Sequence, residues 1–81
     1  MLRLSEAVAG RRYKVVRVDG FGFVRRRMMD MGILPGAVIR VLGRAPLGDP
    51  ISVEVRGTML TVRVSEASLV LVEEVEVLLL Q

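Results

Sequence analysis

The chain has 81 residues, lacks cysteine and histidine, and carries a formal net charge of +3. This length suits one domain spanning residues 1–81, and the two missing residue types exclude disulfides, thiolate nucleophiles, the usual zinc sites and the commonest general base. Residues 1–44 hold ten Arg or Lys against three acids, whereas residues 45–81 hold two against six. In one compact domain the uneven charge indicates either dipolar self-complementarity or two faces for two partners. We expect a binding module, not an enzyme.

No segment predicts a membrane span. The longest unbroken apolar runs have four residues, whereas a span needs about 20. The amino terminus lacks the basic-then-apolar pattern of a signal peptide. We therefore expect a soluble, cytoplasmic protein.

The first elements are a strand and a helix. Residues 13–18 are rich in valine and predict a strand. Apolar residues then recur at spacings of three, four and three, which is typical of one helical face. These residues are Phe21, Val24, Met28 and Met31. We predict a helix over residues 21–31, packed through this face and capped by Asp19.

The sequence marks the end of this helix clearly. Gly32 can adopt the left-handed conformation that closes a helix, and Ile33 can then fold back onto the last turn. Pro35 prevents the helix from restarting, and Gly36 follows it. We expect Gly32, Pro35 and Gly36 to be structural.

The remaining chain predicts four further strands. Their ranges are 37–44, 51–56, 59–64 and 69–77. A tight turn at Gly57-Thr58 joins the second and third of these, and Leu60, Val62 and Val64 are predicted to point inward. Residues 65–68 predict a single capped turn. Five short strands with one helix after the first favour a small, partly open β-barrel, although a two-layer α+β sandwich fits the same pattern. The tripeptide Ser-Glu-Ala occurs at residues 5–7 and 65–67, and we interpret this as coincidence.

The loop Ala45–Pro50 is unusually stiff for a connection between strands. Pro46 and Pro50 restrict the backbone, Gly48 permits a positive φ, and Asp49 can accept hydrogen bonds from nearby backbone N–H groups. This loop can be simply a rigid corner. It can also present Leu47 outward to a partner at little cost in entropy.

The segment Arg25–Met31 has both a structural and a binding interpretation. Met28 and Met31 are predicted core residues, while Met29 lies off that face and suits an irregular partner surface. Arg25, Arg26 and Arg27 form a solvated face or an electrostatic docking face. Asp30 can pair with Arg26 or Arg27.

Four glutamates are candidate oxygen ligands for a divalent cation. They are Glu66, Glu73, Glu74 and Glu76. Strand alternation places Glu74 and Glu76 on one side, but two carboxylates without histidine make a weak site for iron. Protection of a sheet edge is the alternative interpretation, and we expect no cofactor.

Three motifs occur together in this order: residues 31–36 (MGILPG), 45–50 (APLGDP) and 61–73 (TVRVSEASLVLVE). Their order and spacing resemble the FeoA family, the small cytoplasmic component of ferrous iron uptake systems, over residues 4–76. The resemblance implies an SH3-like barrel of about five strands with an inserted helix. It also implies a partner, the FeoB-type membrane transporter with its cytoplasmic GTPase domain.

The chain would then be an accessory module that docks on FeoB and alters its GTPase-linked activity or assembly. The candidate partner-binding residues are Leu47, Pro46, Asp49, Met29, Arg25 and Arg26. The structural motif residues are Gly32, Pro35, Gly36, Gly48 and Pro50. We expect no direct membrane insertion.

Two other functions fit a small basic barrel, namely metal sensing and nucleic-acid binding. Single-strand binders usually stack bases on aromatic rings, and this chain has only Tyr13, Phe21 and Phe23. Because we place the two phenylalanines in or near the helix core, we expect no nucleic-acid partner.

The apolar tail, residues 77–81, departs most from the family pattern. Burying one leucine stabilises by roughly 1.5–3 kcal/mol, so we expect Leu78, Leu79 and Leu80 to be covered. The tail can fold back as an extra strand or add a strand to a second subunit, and we favour the second. Deleting residues 77–81 should then lower the mass measured by light scattering while the circular dichroism is kept. An intact chain that stays monomeric at high micromolar concentration contradicts the intermolecular version.

Overall fold

The computed structural model describes residues 1–75. The strands are β1 (Leu2–Arg3), β2 (Arg12–Val18), β3 (Val38–Arg44), β4 (Ile51–Val55), β5 (Thr58–Val62) and β6 (Val70–Glu74). The helical segments are a 3-10 turn (Leu4–Glu6), α1 (Gly22–Asp30) and α2 (Val64–Ala67). Among these residues, neither α-helix is long and apolar enough to cross a membrane.

The strands form one antiparallel sheet in the order β1-β6-β2-β3-β4-β5. Bulges interrupt β2 between Val15 and Arg17 and β3 between Val41 and Gly43. A bulge bends its strand and increases the local twist, which lets the sheet coil around one core. The mainly-β fold with an inserted helix is confirmed, but the helix follows the second strand and not, as predicted, the first. The two-residue strand β1 raises the strand count to six, because so short an element has no period to detect.

Valine and isoleucine fill most of the core, from alternate positions along the strands. Strand β4 is an example, since Ile51, Val53 and Val55 are buried while the residues between them are half-buried. Tyr13 is the only aromatic residue among the buried side chains of residues 1–75. Its hydroxyl accepts a hydrogen bond from the Val8 N–H at 2.9 Å, which satisfies its polar end inside an apolar core.

The β4–β5 hairpin differs by one residue from the predicted one. Val55 lies opposite Thr58, so the turn consists of Arg56 and Gly57, with φ of 53° and 79°. Two positive φ values suit the twist of a two-residue hairpin. Leu60 and Val64, which were predicted to point inward, are half-buried. Residues 76–81, including the end of the predicted last strand and the apolar tail, lie outside the described residues.

The predicted core face of α1 is largely wrong. Met28 alone is buried within the helix, and Met31 is half-buried at its end. Phe21 and Val24 are 91% and 41% exposed. The helix contacts the core only near its carboxyl end, so the period of the sequence identified a face that the sheet covers only in part.

The predicted cap at Asp19 is also wrong. The residue preceding α1 is Phe21, whose backbone is extended and whose side chain makes no capping hydrogen bond. Asp19 instead pairs with Arg3 and Arg17.

The repeated Ser-Glu-Ala tripeptide has a structural reason, contrary to our interpretation as coincidence. In both places the glutamate accepts a hydrogen bond from the backbone N–H three residues earlier, Arg3 for Glu6 and Arg63 for Glu66, each at 3.0 Å. This is the glutamate half of a capping box. The two turns that result lie next to each other in the fold.

Gly32 closes α1 as predicted. Its φ is +99°, and the N–H groups of Gly32 and Ile33 donate to the carbonyls of Met29 and Met28 at 3.0 and 3.1 Å. This is the Schellman arrangement, and it carries Ile33 into the core, where the side chain is fully buried.

Replacing Gly32 by alanine should lower the free energy of unfolding by roughly 1 kcal/mol, because an ordinary residue would be forced into left-handed geometry. A Cβ at Gly32 would lie 3.6 Å from Val55 Cγ1, which is ordinary contact, so the loss comes from the backbone and not from a clash. Urea unfolding measures it. Gly43→Ala is the control, because Gly43 has open space and no positive φ. Equal stability of Gly32→Ala and the parent would contradict this assignment.

Candidate functional site: helix α1 and the 45–50 loop

The outer face of α1 forms one wall of a groove. The groove has a volume of about 560 Å³ and is lined by Gly20, Phe21, Gly22, Arg25, Arg26, Met29 and Asp30. The two glycines leave backbone exposed, Phe21 and Met29 provide apolar surface, and the arginines provide positive charge. Such a groove suits a partner that offers both apolar and acidic groups.

A second groove lies on the other side of Arg26. It has a volume of about 320 Å³ and is lined by Phe23, Arg26, Arg27, Asp30 and Met31. Arg26 therefore borders both grooves, with Phe21 beside one and Phe23 beside the other. Phe23 is 78% exposed, so the reason given against nucleic-acid binding, that both phenylalanines lie in or near the core, is wrong.

Arg25 is fixed by the end of β2. Its Nε donates to the carbonyl oxygen of Val18 at 3.2 Å, and its side chain is half-buried. Met29 is also half-buried, while Arg26 is exposed. The structure thus brings together three of the six predicted partner-binding residues: Arg25, Arg26 and Met29.

A buried carboxylate ties α1 to α2. Glu66 is 8% exposed, and its Oε2 lies 3.4 Å from Nη1 of Arg27, while its Oε1 accepts the hydrogen bond from the Arg63 N–H. Arg27 therefore pairs with Glu66. It does not pair with Asp30, which the sequence allowed as a partner. Because both oxygens of Glu66 are occupied, this residue acts as a structural link and not as a free ligand.

A cluster of two arginines and one aspartate lies where β2 ends, just before α1. Asp19 accepts from Nε of Arg17 at 2.5 Å and from Nη1 of Arg3 at 2.6 Å. These bonds, first to Arg17 and then to Arg3, lower the pKa of the Asp19 carboxyl to about 2. No local pattern indicates this contact, because Arg3 is 16 residues from Asp19.

The 45–50 loop is held by hydrogen bonds at both ends. The Gly48 N–H donates to the Ala45 carbonyl at 2.7 Å, and the Ala45 N–H donates to the Pro50 carbonyl at 3.0 Å. Gly48 has the positive φ that we predicted, 91°. Leu47, at the tip, is 97% exposed, so the hydrogen-bonded loop presents an apolar side chain to solvent.

Asp49 has a structural contact that reaches across the fold. Its Oδ1 accepts a hydrogen bond from the Val64 N–H at 3.1 Å, which satisfies a free backbone donor in the first turn of α2. This is not the local bond that we predicted, because the donor is 15 residues away. Pro46, Leu47 and Asp49 do not line either α1 groove, so the predicted partner-binding residues occupy two separate places.

The acidic candidates for a cation do not converge within the described part of the chain. Glu74 Oε1 lies 3.2 Å from Nη1 of Arg11, and Glu73 is opposite Lys14 in the sheet. Glu76 lies beyond residue 75. Among residues 1–75, no group of three or more Asp, Glu, His or Cys side chains is placed to hold a metal ion.

The coiled antiparallel sheet with its inserted helix makes this protein a small SH3-like β domain. The chain belongs to the FeoA domain family, which it matches over residues 2–74.

Two solved structures support both statements. An FeoA-like protein from Clostridium acetobutylicum is 39% identical with a TM-score of 0.86, over 99% of this chain and 93% of that one. FeoA of Stenotrophomonas maltophilia, solved as a zinc complex and described as a prokaryotic SH3 domain protein, is 28% identical with a TM-score of 0.79, over 90% of this chain and 91% of that one.

A curated relative is much longer than this chain. The Fe(2+) transport protein A/Fe(2+) transporter FeoB fusion protein of Porphyromonas gingivalis is 36% identical over 72 residues. The match covers 89% of this chain but only 8% of that relative.

The Asp19 cluster should make stability depend on pH in acid. The pKa of Asp19 in the folded protein, about 2, lies below its ordinary value, so the unfolded chain binds the proton more readily. The contribution of ionised Asp19 to the free energy of unfolding is complete above about pH 4 and is lost as the pH falls through about 2. The free energy of unfolding in urea should be higher for the parent than for Asp19→Asn above this pH range, and the difference should disappear as the pH falls through it.

The control for this measurement is the same substitution in an Arg3→Gln, Arg17→Gln background. Without the two donors, Asp19→Asn should produce a much smaller pH-dependent difference. An equal difference in both backgrounds would show that the arginines do not lower the pKa.

Proposed function

We propose that this protein is a non-enzymatic accessory module of a ferrous iron uptake system, and that it docks on the cytoplasmic part of a FeoB-type membrane transporter. Family membership supports the connection with ferrous iron transport. The Porphyromonas gingivalis relative supports the partner, because in that protein transport protein A and transporter FeoB are one chain. Covalent linkage keeps two modules at a high effective concentration, which is useful when they act on each other.

The observation that carries the docking proposal is the exposure of Leu47 on a rigid loop. A leucine that is 97% exposed gains free energy when a partner covers it, roughly 1.5–3 kcal/mol for full burial. Because the loop backbone is already hydrogen-bonded, binding orders few additional torsions. Leu47 is therefore a suitable anchor, with Pro46 beside it.

The α1 groove provides the second contact. Met29 and Phe21 offer adaptable apolar surface, and Arg25 and Arg26 attract acidic groups on the transporter. Docking through two places on one small domain would position it more firmly than either contact alone. A change in the GTPase-linked activity or assembly of the transporter would follow from this positioning.

Leu47→Asp and Met29→Asp should each reduce co-purification with the cytoplasmic part of a FeoB-type protein at least about tenfold, because a charge would be buried in an apolar contact. The thermal midpoint should stay nearly unchanged. Met59→Asp is the matched control, since Met59 is 70% exposed on β5 and lines neither α1 groove.

Unfolding by either substitution would mean that the residue belongs to the core and not to the docking surface. Normal co-purification of both variants would reject this surface. Failure of the unchanged protein to co-purify would reject the docking itself.

A further inference from the structure

We propose that the amino-terminal end of α1 binds peripherally to anionic lipid bilayers, with Phe21 and Phe23 entering the headgroup region. This activity goes beyond docking on a transporter and does not depend on it. It also goes beyond our expectation from the sequence, in which the membrane was reached only through the partner. Side chains enter the interface in this arrangement, and no segment spans the bilayer.

The first observation is the exposure of all the phenylalanines in the chain. Phe21 and Phe23 are the two that the sequence contains, and they are 91% and 78% exposed. Val24, the next residue, is 41% exposed. Water-exposed aromatic rings on a small domain forgo the stabilisation of burial, so two of them at one end of a helix favour a surface that another phase or molecule covers.

The second observation is the charge around these rings. Arg26 borders the grooves beside both phenylalanines, and Arg25 borders the groove beside Phe21. Neither arginine forms an ion pair within residues 1–75. Asp30 also borders both grooves, so the two guanidinium groups outnumber one carboxylate. An excess of positive charge beside apolar rings complements a surface that is apolar inside and negatively charged outside, as an anionic bilayer is.

The shape of this end suits a lipid surface, which needs no matching pocket. The rings stand out from the protein on either side of Gly22, which has no side chain to fill the space between them. A protruding ring needs a matching socket in a protein, whereas a fluid interface accepts it without one. Arginine can extend along the acyl boundary while its guanidinium stays at phosphate depth.

A single-stranded nucleic acid fits the same surface less well. Binders of this class track the backbone along a groove and stack several successive bases. The third aromatic residue, Tyr13, is 1% exposed and is not available for stacking.

The test is co-sedimentation with vesicles, in the absence of any transporter. We expect the protein to sediment with phosphatidylcholine vesicles that contain roughly one quarter phosphatidylglycerol, and not with pure phosphatidylcholine, with binding that weakens as salt rises from ~0.1 to ~0.5 M. The double variant F21S/F23S should bind these vesicles at least about tenfold more weakly than the parent. The matched control, L47S/M59S, removes two exposed apolar side chains elsewhere and should bind like the parent.

A fluorescence measurement reports the depth of the contact. The chain has no tryptophan, so Phe23→Trp introduces a single indole. Its emission should shift to the blue when anionic vesicles are added, whereas the emission of Leu47→Trp should not shift.

Several results would overturn this proposal. The first is that the folded parent does not sediment with anionic vesicles at low salt. The second is that F21S/F23S binds these vesicles as well as the parent does. The third is that a thymidine oligonucleotide or a polyglutamate peptide binds in a way that depends on the phenylalanines, while vesicle binding does not. Because the vesicle assay contains no transporter and co-purification contains no vesicles, either hypothesis can fail without the other.

Discussion

The contact of Met28 with the core is the constraint on which the proposed surfaces depend. Met28 alone is buried within α1, and the Schellman turn at Gly32 carries Ile33 into the core directly afterwards. The Arg27–Glu66 pair adds a polar link to α2. The helix is therefore fixed near its carboxyl end, and its amino-terminal half remains available for contact with something outside the fold.

The valine- and isoleucine-rich core explains why apolar side chains are left outside. Strands this short enclose little space, and branched aliphatic side chains fill it at close to the density of a crystal. The core accepts Tyr13, whose hydroxyl is satisfied by the Val8 N–H. Phe21 and Leu47 lie on connections and Phe23 lies in the first turn of α1. All three are outside the sheet, which is why they can serve binding without weakening the core.

The parts of the fold that the sequence predicted are those governed by local rules. Strict alternation identified β4, and Gly32 with Pro35 marked the end of α1. The composition of the 45–50 loop predicted the positive φ of Gly48. What could not be predicted depends on contacts between distant segments. Asp19 was assigned as a cap because nothing local shows that Arg3 reaches it, and Asp49 bonds a backbone group in a helix that comes later in the chain.

The residues of the candidate site also divide into those that local rules predict and those that they do not. The sequence indicated Leu47 as an outward anchor and Met29 as an adaptable contact, because turn residues and helical period place them. It missed Phe21 and Phe23, since a helical period says which residues share a face but not how much of that face a small sheet can cover. The function itself came from the FeoA-like motifs, since no charge or period in the chain points to iron.

NMR chemical-shift mapping tests most directly the claim that this domain binds through α1 and the 45–50 loop. Backbone amide shifts would be recorded as the unlabelled cytoplasmic part of a FeoB-type transporter is added to the isotopically labelled protein. The account predicts that the largest changes fall at residues 20–31 and 45–50, with β5 around Met59 unaffected. Changes concentrated on β5 or spread evenly over the sheet would contradict it.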